Sequence, residues 1–98
     1  MKHNGRIIEI RYQDFPLELQ GAIPGFVTAK FEDRYIIVID STRAAIVQRH
    51  TLGHELAHIF LNHHDQHDRP IKEQEREAND HAWHYYREYK SGRLEAGP

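Results

Sequence analysis

The sequence lacks cysteine altogether. A disulfide framework and a thiolate metal site are therefore excluded, and histidine, aspartate and glutamate remain as the only strong metal ligands that the chain offers. A site built from nitrogen and oxygen donors suits a catalytic metal better than a structural one. The absence of cysteine thus limits the metal chemistry before any motif is considered.

Long apolar runs and a large excess of one charge are also missing. No apolar run approaches the length of a membrane span, and the N-terminal segment MKHNGRIIEIRYQ lacks the apolar region of a signal peptide. The formal net charge is only -2 and Lys and Arg are spread along the chain, so a basic surface for nucleic acid is not expected. These features predict a cytoplasmic protein that binds neither a membrane nor nucleic acid.

The 98 residues are enough for one domain with one core. Residues 6–12 alternate apolar and polar side chains, which predicts a first strand with Ile8 and Ile10 on one face. The following segment, residues 14–25, predicts a short helical turn that ends in glycine and proline. Together with the helices described below, the expected fold class is α+β, with a small, mainly antiparallel sheet of about three strands packed on two helices.

A β-hairpin is predicted over residues 26–40. Its strands are residues 26–31 and 34–40, joined by a tight turn at Glu32 and Asp33. The second strand contains a continuous apolar run, which is typical of a strand buried on both faces or covered on its outer face by a ligand.

The pattern HExxH occurs at His54, Glu55 and His58, within a segment that predicts one helix over residues 42–63. Each helical residue turns the chain by about 100° and rises about 1.5 Å, so the two histidines lie on one face and can share a metal ion. The Glu55 carboxylate can then take a proton from a water molecule that the metal activates. The motif therefore indicates a zinc hydrolase.

The alternative is a solvated helix face that carries two surface histidines. The surrounding residues favour a site, because an apolar stripe runs along the other side of the helix: Leu52, Leu56, Ile59 and Phe60. Such a helix has one side anchored in a core and the other directed into a cleft.

The first helix is preceded by three residues of the types that cap helix N-termini: Asp40, Ser41 and Thr42. A second helix is predicted over residues 71–89. Its core side should carry Ala78, Ala82 and either Tyr85 or Tyr86, and Gly92 is the expected stop. Residues 91–98 are predicted to be a frayed tail.

A catalytic zinc needs a third protein ligand, and the second helix offers Glu73, Glu75 and Glu77. We prefer Glu75, because Asn79 lies one turn later on the same face and can hydrogen-bond a ligand histidine. Glu77 stays open, with His81 in the same relation to it. An acidic first turn that only complements the helix dipole is the alternative for the whole group.

A histidine-rich segment, residues 62–68, separates the two helices. His63, His64 and His67 are predicted to lie in a solvated loop, with an adventitious metal site as the alternative.

The segments HTLGHELAHIFLNH and EQEREANDHAW resemble the ImmA/IrrE-type metallopeptidases, whose signature is HExxH on one helix and E-x-E-A-N-x-F-A on the next. They are also similar to the zinc-binding half of thermolysin-like gluzincins. The resemblance implies a minimal zincin-like metallopeptidase with residues 1–98 as its single domain. It implies that Glu75 is the third metal ligand and that Asn79 orients a ligand histidine. His81 replaces the family's aromatic residue, and WHYYREY replaces the apolar continuation of the second helix.

The resemblance further implies a peptidase that cleaves a specific intracellular protein, for example a repressor of a mobile element or of a stress regulon. One zinc per chain is expected, although manganese and iron also suit these ligands. The substrate would lie along an edge strand, for which the expected residues are Tyr35, Ile36, Ile37, Val38 and Ile39. The second electrophile for the oxyanion is expected to be one of four side chains: His81, His84, Tyr85 and Tyr86.

Two other functions stay open. The small size and the altered second motif favour a binding module that acts as a protein partner in a phage, mobile-element or toxin–antitoxin system without turnover. The intact Glu55 favours the enzyme, because a structural zinc site needs no general base. Metal storage through His63, His64 and His67 would predict several weakly bound ions per chain. The sequence leaves the oligomeric state open.

Overall fold

The computed structural model describes residues 1–95. Its main elements are β1 Lys2–His3, β2 Arg6–Gln13, β3 Gly25–Thr28, β4 Arg34–Asp40, α1 Ala45–Phe60 and α2 Ile71–Lys90. The strands form one sheet in the order β1-β2-β4-β3, α1 packs on the sheet, and α2 packs mainly on α1. The predicted α+β class is confirmed. No helix in the described part of the chain is long and apolar enough to cross a membrane.

The sheet has four strands rather than three, and it is mixed. The strands β2 and β4 pair in parallel over seven positions, whereas the other two pairs are antiparallel. The additional strand, β1, forms an N-terminal hairpin with β2 through Asn4 and Gly5, which both have positive φ angles. An Asn-Gly pair is the strongest local signal for such a turn, so this strand was predictable from the sequence.

The strand β4 lies in the centre of the sheet, between β2 and β3. The prediction that it is an edge strand for a substrate was therefore wrong, because β2 returns in parallel on one side of it and β3 occupies the other. The prediction of burial on both faces is confirmed. Ile37 and Ile39 pack in the core beneath α1, whereas Ile36 and Val38 on the opposite face pack with Phe15.

The segment between β2 and β3 covers that opposite face. Phe15 is buried, and the backbone N–H groups of Leu19 and Gln20 donate to the Pro16 carbonyl at 2.9 and 3.1 Å. This is the helical turn predicted for the region. Leu17, in contrast, is 83% exposed, so Phe15 supplies most of the apolar cover.

The hairpin of β3 and β4 is antiparallel as predicted, but its connection is not a tight turn. The strand β3 ends at Thr28, and residues 29–33 form a longer loop. The guanidinium group of Arg6 donates to the carbonyl oxygens of Ala29 and Phe31 in this loop. This contact comes from another strand, so the local sequence of the hairpin does not reveal it.

The helix α1 begins at Ala45, and Ala44 at its N-cap makes no side-chain capping bond. The predicted capping by Asp40, Ser41 or Thr42 was therefore wrong. Asp40 instead organises the turn before the helix: its fully buried carboxylate accepts from the backbone N–H and the hydroxyl of Thr42 at 3.0 and 2.7 Å. The Arg43 Nε donates to the same carboxylate at 3.3 Å.

We expect Asp40→Ala to lower the free energy of unfolding by about 2–4 kcal/mol, because several donors would lose their only described acceptor in a buried position. Denaturant titration of the metal-free protein would measure this change. Asp33→Ala is the matched control, since Asp33 pairs with Arg34 at the surface and its loss should change the free energy of unfolding much less. Equal losses for the two variants would contradict the structural role of Asp40.

The helix α2 extends one residue beyond its predicted end and stops as expected at Gly92, which has a φ of +77°. The prediction of a frayed tail was wrong for residues 91–95. Arg93–Glu95 form a 3-10 turn, and Leu94 packs against the main core. The remainder of the predicted tail, residues 96–98, lies outside the described residues.

Candidate metal centre

The two histidines of the HExxH motif lie one turn apart on α1, and their Nε2 atoms are 3.1 Å apart. The Leu52, Leu56 and Ile59 side chains on the other side of the helix are buried in the core. The expected division into an anchored face and a cleft face is therefore present. It places both imidazoles at the wall of one cavity.

The Glu75 carboxylate on α2 faces this histidine pair. One of its oxygens lies 2.9 Å from His54 Nε2 and the other lies 3.2 Å from His58 Nε2. The second candidate, Glu77, lies on another side of α2 and contacts His63 and Arg69 instead. Two residues along a helix differ by about 200° in direction, so the two glutamates cannot face the same point.

Asn79 lies one helical turn after Glu75, as expected. Its side-chain oxygen is 2.9 Å from His54 Nδ1. Because an amide oxygen only accepts, this bond requires His54 Nδ1 to carry the proton. The Nε2 atom of the neutral ring then presents a lone pair toward Glu75 and His58.

The donor atoms fit a divalent metal ion such as zinc. Two imidazole nitrogens and a carboxylate converge within about 3 Å of one another, whereas ligands about 2.0–2.1 Å from a tetrahedral zinc lie roughly 3.4 Å apart. The three side chains would only have to move slightly apart to bind the ion. The nitrogen and oxygen donor set also suits other divalent ions.

Glu55 lies beside this cluster and is 8% exposed. Ligand atoms of His54, Glu55 and His58 all lie within 4.8 Å of one another. Burial, with the nearby negative charge of Glu75 acting in the same direction, raises the pKa of Glu55 to about 8. A carboxyl group with a pKa near neutrality can both accept and release a proton under ordinary conditions.

His58 is also shielded from solvent. Burial lowers the pKa of His58 to about 4, with the neighbouring His54 and His63 acting in the same direction and Glu75 opposing them. The ring is therefore neutral near pH 7, which is the form that a metal ligand requires.

The separation of the two helices near the site is set by Gly53 and Ala82. A Cβ atom at Gly53 would lie only 1.9 Å from the Ala82 carbonyl oxygen and 3.1 Å from the Tyr86 Cβ. Only glycine permits this close approach of the backbones. The contact brings α2, and with it Glu75 and Asn79, up to the histidines on α1.

The histidine-rich segment is not simply a solvated loop. His63 is 5% exposed, and its Nδ1 lies 2.8 Å from His58 Nδ1. His64 is half-buried against Tyr35, whereas His67 is exposed as predicted. Asn62, with a left-handed φ of +57°, turns the chain after α1 and thereby directs His63 back toward the site.

A cavity of about 560 Å³ opens in front of the motif. Its walls include the histidine cluster, Glu55, Glu75 and Asn79, together with Gly25, Phe26 and Val27 of β3. Two further histidines line it, His50 and His64, as do Thr51 and Gln74. His50 precedes His54 by four residues, so its position on the same helix face was predictable from the spacing.

Four side chains were expected to stabilise an oxyanion: His81, His84, Tyr85 and Tyr86. None of them is among the described residues that line this cavity. Tyr85 stacks on Phe60 and His84 packs against Tyr85, while Tyr86 packs against Trp83. The expectation was wrong because α2 rises about 1.5 Å per residue and leaves the site after Asn79. The histidines that line the cavity besides His54 and His58 are His50, His63 and His64.

Residues 1–85 match the peptidase family that is described as the IrrE N-terminal-like domain. No curated protein and no solved structure matches the chain significantly.

Proposed function

Because the chain belongs to the IrrE N-terminal-like peptidase family, we propose that it is a metal-dependent peptidase, with His54, His58 and Glu75 as metal ligands and Glu55 as general base. The observation that carries this proposal is the convergence of one carboxylate on two imidazoles, at 2.9 and 3.2 Å, beside a buried glutamate. Zinc is the ion we propose, at one per chain.

When bound, the metal ion supplies Lewis acidity that activates a water molecule and polarises a carbonyl group. Glu55 takes a proton from the attacking water and later delivers it to the leaving amine nitrogen. The buried position of Glu55 suits this exchange, since its pKa near 8 lies close to the working pH of most proteins. Asn79 holds the His54 ring so that Nε2 stays available to the metal.

We place the substrate on β3. This strand is an edge of the sheet, it pairs only with β4 in the described part of the chain, and three of its four residues line the cavity. An extended peptide can pair with its free backbone groups and thereby cross the site as an added strand. We propose that the substrate is an intracellular protein, such as a repressor, cleaved in an extended segment.

The intact general base favours turnover over a silent binding module. A purely structural metal site has no use for a buried glutamate whose pKa lies far above the ordinary value. Keeping that carboxyl group buried lowers stability, which is a typical cost of an active site. If no metal binds, the function to accept is the binding module without turnover.

Metal content tests the proposed ligands. One zinc per chain is expected in protein purified without chelator or histidine tag, and Glu75→Ala should lose stoichiometric zinc because it removes one of three ligands. Glu73→Ala is the matched control, because Glu73 is an exposed glutamate on the first turn of the same helix, and it should keep one zinc per chain. Elemental analysis of the three proteins would measure this difference. If folded wild-type protein holds no stoichiometric metal, the proposed peptidase function is wrong.

A further inference from the structure

A series of hydrogen-bonded side chains leads away from His58, on the side of its ring opposite the proposed metal. His58 Nδ1 lies 2.8 Å from His63 Nδ1, and His63 Nε2 lies 2.5 Å from an oxygen of Glu77. The Arg69 guanidinium donates to the same Glu77 oxygen at 3.1 Å. His63 is 5% exposed, so this contact is shielded from water.

The chemistry of these atoms determines where the protons lie. An ionised carboxylate only accepts hydrogen bonds, so His63 Nε2 must donate to Glu77. A neutral imidazole has one donor and one acceptor, so His63 Nδ1 then accepts from His58 Nδ1. His58 is left with a bare Nε2, which is the atom 3.1 Å from His54 Nε2 and 3.2 Å from Glu75.

We propose that His63 and Glu77 are positioning residues for the metal centre, which hold His58 in the tautomer and ring orientation that a ligand needs. This inference rests on the proposed function, because it assigns a role toward the same metal. Asn79 does the equivalent for His54. Both ligand histidines of α1 are thus oriented by side chains of α2, one directly and the other through His63.

Hydrogen bonds in the loop around His63 hold this series of side chains in place. Gln66 donates to the Leu61 carbonyl at 2.7 Å and accepts from Arg69 at 2.6 Å. Gln74 on α2 donates to the Gln66 carbonyl at 2.8 Å. These bonds tie the loop to both helices, so Glu77 and His63 meet in a fixed geometry rather than by chance at a mobile surface.

The first measurement is the dissociation constant for zinc, determined by competition with a chromogenic chelator. Loss of a residue that orients a metal ligand typically weakens affinity by about 10- to 100-fold, and we expect this loss for Glu77→Ala. Glu73→Ala is the matched control, because Glu73 is an exposed glutamate on the first turn of the same helix. Its affinity should equal that of the wild type. Glu77→Gln, which keeps an acceptor oxygen beside Arg69, should lie closer to the wild type than Glu77→Ala does.

The second measurement is the tautomer of His58 in metal-free protein near neutral pH, from ¹⁵N NMR of the histidine rings. We expect protonated Nδ1 in the wild type and in Glu73→Ala, and a mixture of tautomers in Glu77→Ala. A protonated Nε2 in the wild type, or an unchanged affinity and tautomer in Glu77→Ala, would overturn the inference. If the wild type binds no zinc, the proposed function is wrong, and so is the role of His63 and Glu77 in metal binding. The ¹⁵N spectra would still test the hydrogen bonds from His58 through His63 to Glu77.

Discussion

Replacing Glu55 with Gln is expected to lower peptide hydrolysis by about 10²- to 10⁴-fold while one metal ion per chain remains bound. Glutamine has nearly the same shape as glutamate but cannot accept the proton of the attacking water. The two proposed histidine ligands and Glu75 are unchanged, so metal binding should persist. Hydrolysis of a mixed peptide library, followed by mass spectrometry, would measure the loss and would also reveal the sequence preference of the wild type.

Metal content must be determined for both proteins in that experiment. Glu73→Gln is the control for removal of a glutamate charge, since this residue is exposed and lies outside the cavity lining. Its activity should equal that of the wild type. If Glu55→Gln retained full activity with its metal bound, Glu55 would not be the general base.

Glu55→Gln should also stabilise the metal-free protein, and increasingly so as the pH rises. The folded-state pKa of about 8 lies above the ordinary value of 4.5, so the folded protein holds a proton that the unfolded chain has released between these values. Stability therefore falls with increasing pH across this window, by at most about 1.4 kcal/mol per pH unit. Glutamine does not titrate, so Glu55→Gln should gain about 1–3 kcal/mol over the wild type at pH 7 and almost nothing below pH 4.5.

The buried His58 has the opposite effect on stability. Its folded-state pKa of about 4 lies below the ordinary value of 6.5, so its contribution is lost as the pH falls through that interval. His58 is present in both proteins, and its contribution largely cancels when their stabilities are compared at one pH. Denaturant titrations at several pH values, with chelator present, would isolate the Glu55 contribution. A constant difference across this pH range would contradict the raised pKa.

Gly53→Ala is expected to destabilise the protein by about 3 kcal/mol and to weaken metal binding. An added methyl group would lie 1.9 Å from the Ala82 carbonyl oxygen, which belongs to the backbone and cannot rotate away. The two helices would have to separate. Glu75 and Asn79 would then move away from the histidines of α1, so we expect at least a tenfold loss of zinc affinity.

The expected loss of stability in Gly53→Ala is opposite in sign to the effect of the same substitution in an ordinary helix. In an ordinary helix interior, Gly→Ala stabilises by roughly 1 kcal/mol. Ala45→Gly, at the exposed start of α1, is the control for helix propensity and should cost less than about 1 kcal/mol without changing zinc affinity. Thermal unfolding and chelator competition would measure both effects. An increase in the melting temperature of Gly53→Ala would show that the helices do not approach this closely.

The arrangement of His54, Glu55 and His58 was predictable from the sequence because it depends on a single helix. Residues four apart lie on one face of any α-helix, so the positions of these groups follow from local geometry. The same holds for Glu75 and Asn79 as a pair on α2. The alternation of residues 6–12 and the apolar run of β4 likewise predicted strands, since these patterns reflect burial within one segment.

Local signals also explain what was overlooked. The Asn4-Gly5 pair predicts the hairpin turn that adds β1 to the sheet, and the two residues are adjacent, so this turn required no knowledge of the tertiary structure. His50, in contrast, was already a candidate for the site face, because it precedes His54 by four residues.

The sequence alone determined which groups lie on the motif helix and which residue types can hold a metal. The tertiary structure decided which partners reach them. Glu75 rather than Glu77 faces the histidines because of how α2 packs on α1 at Gly53, and His63 is buried because Asn62 turns the chain back toward Glu77. The edge strand that lines the cavity is β3 rather than β4, because β2 pairs in parallel with β4. These outcomes depend on contacts between residues distant in the sequence, which no periodicity within one segment encodes.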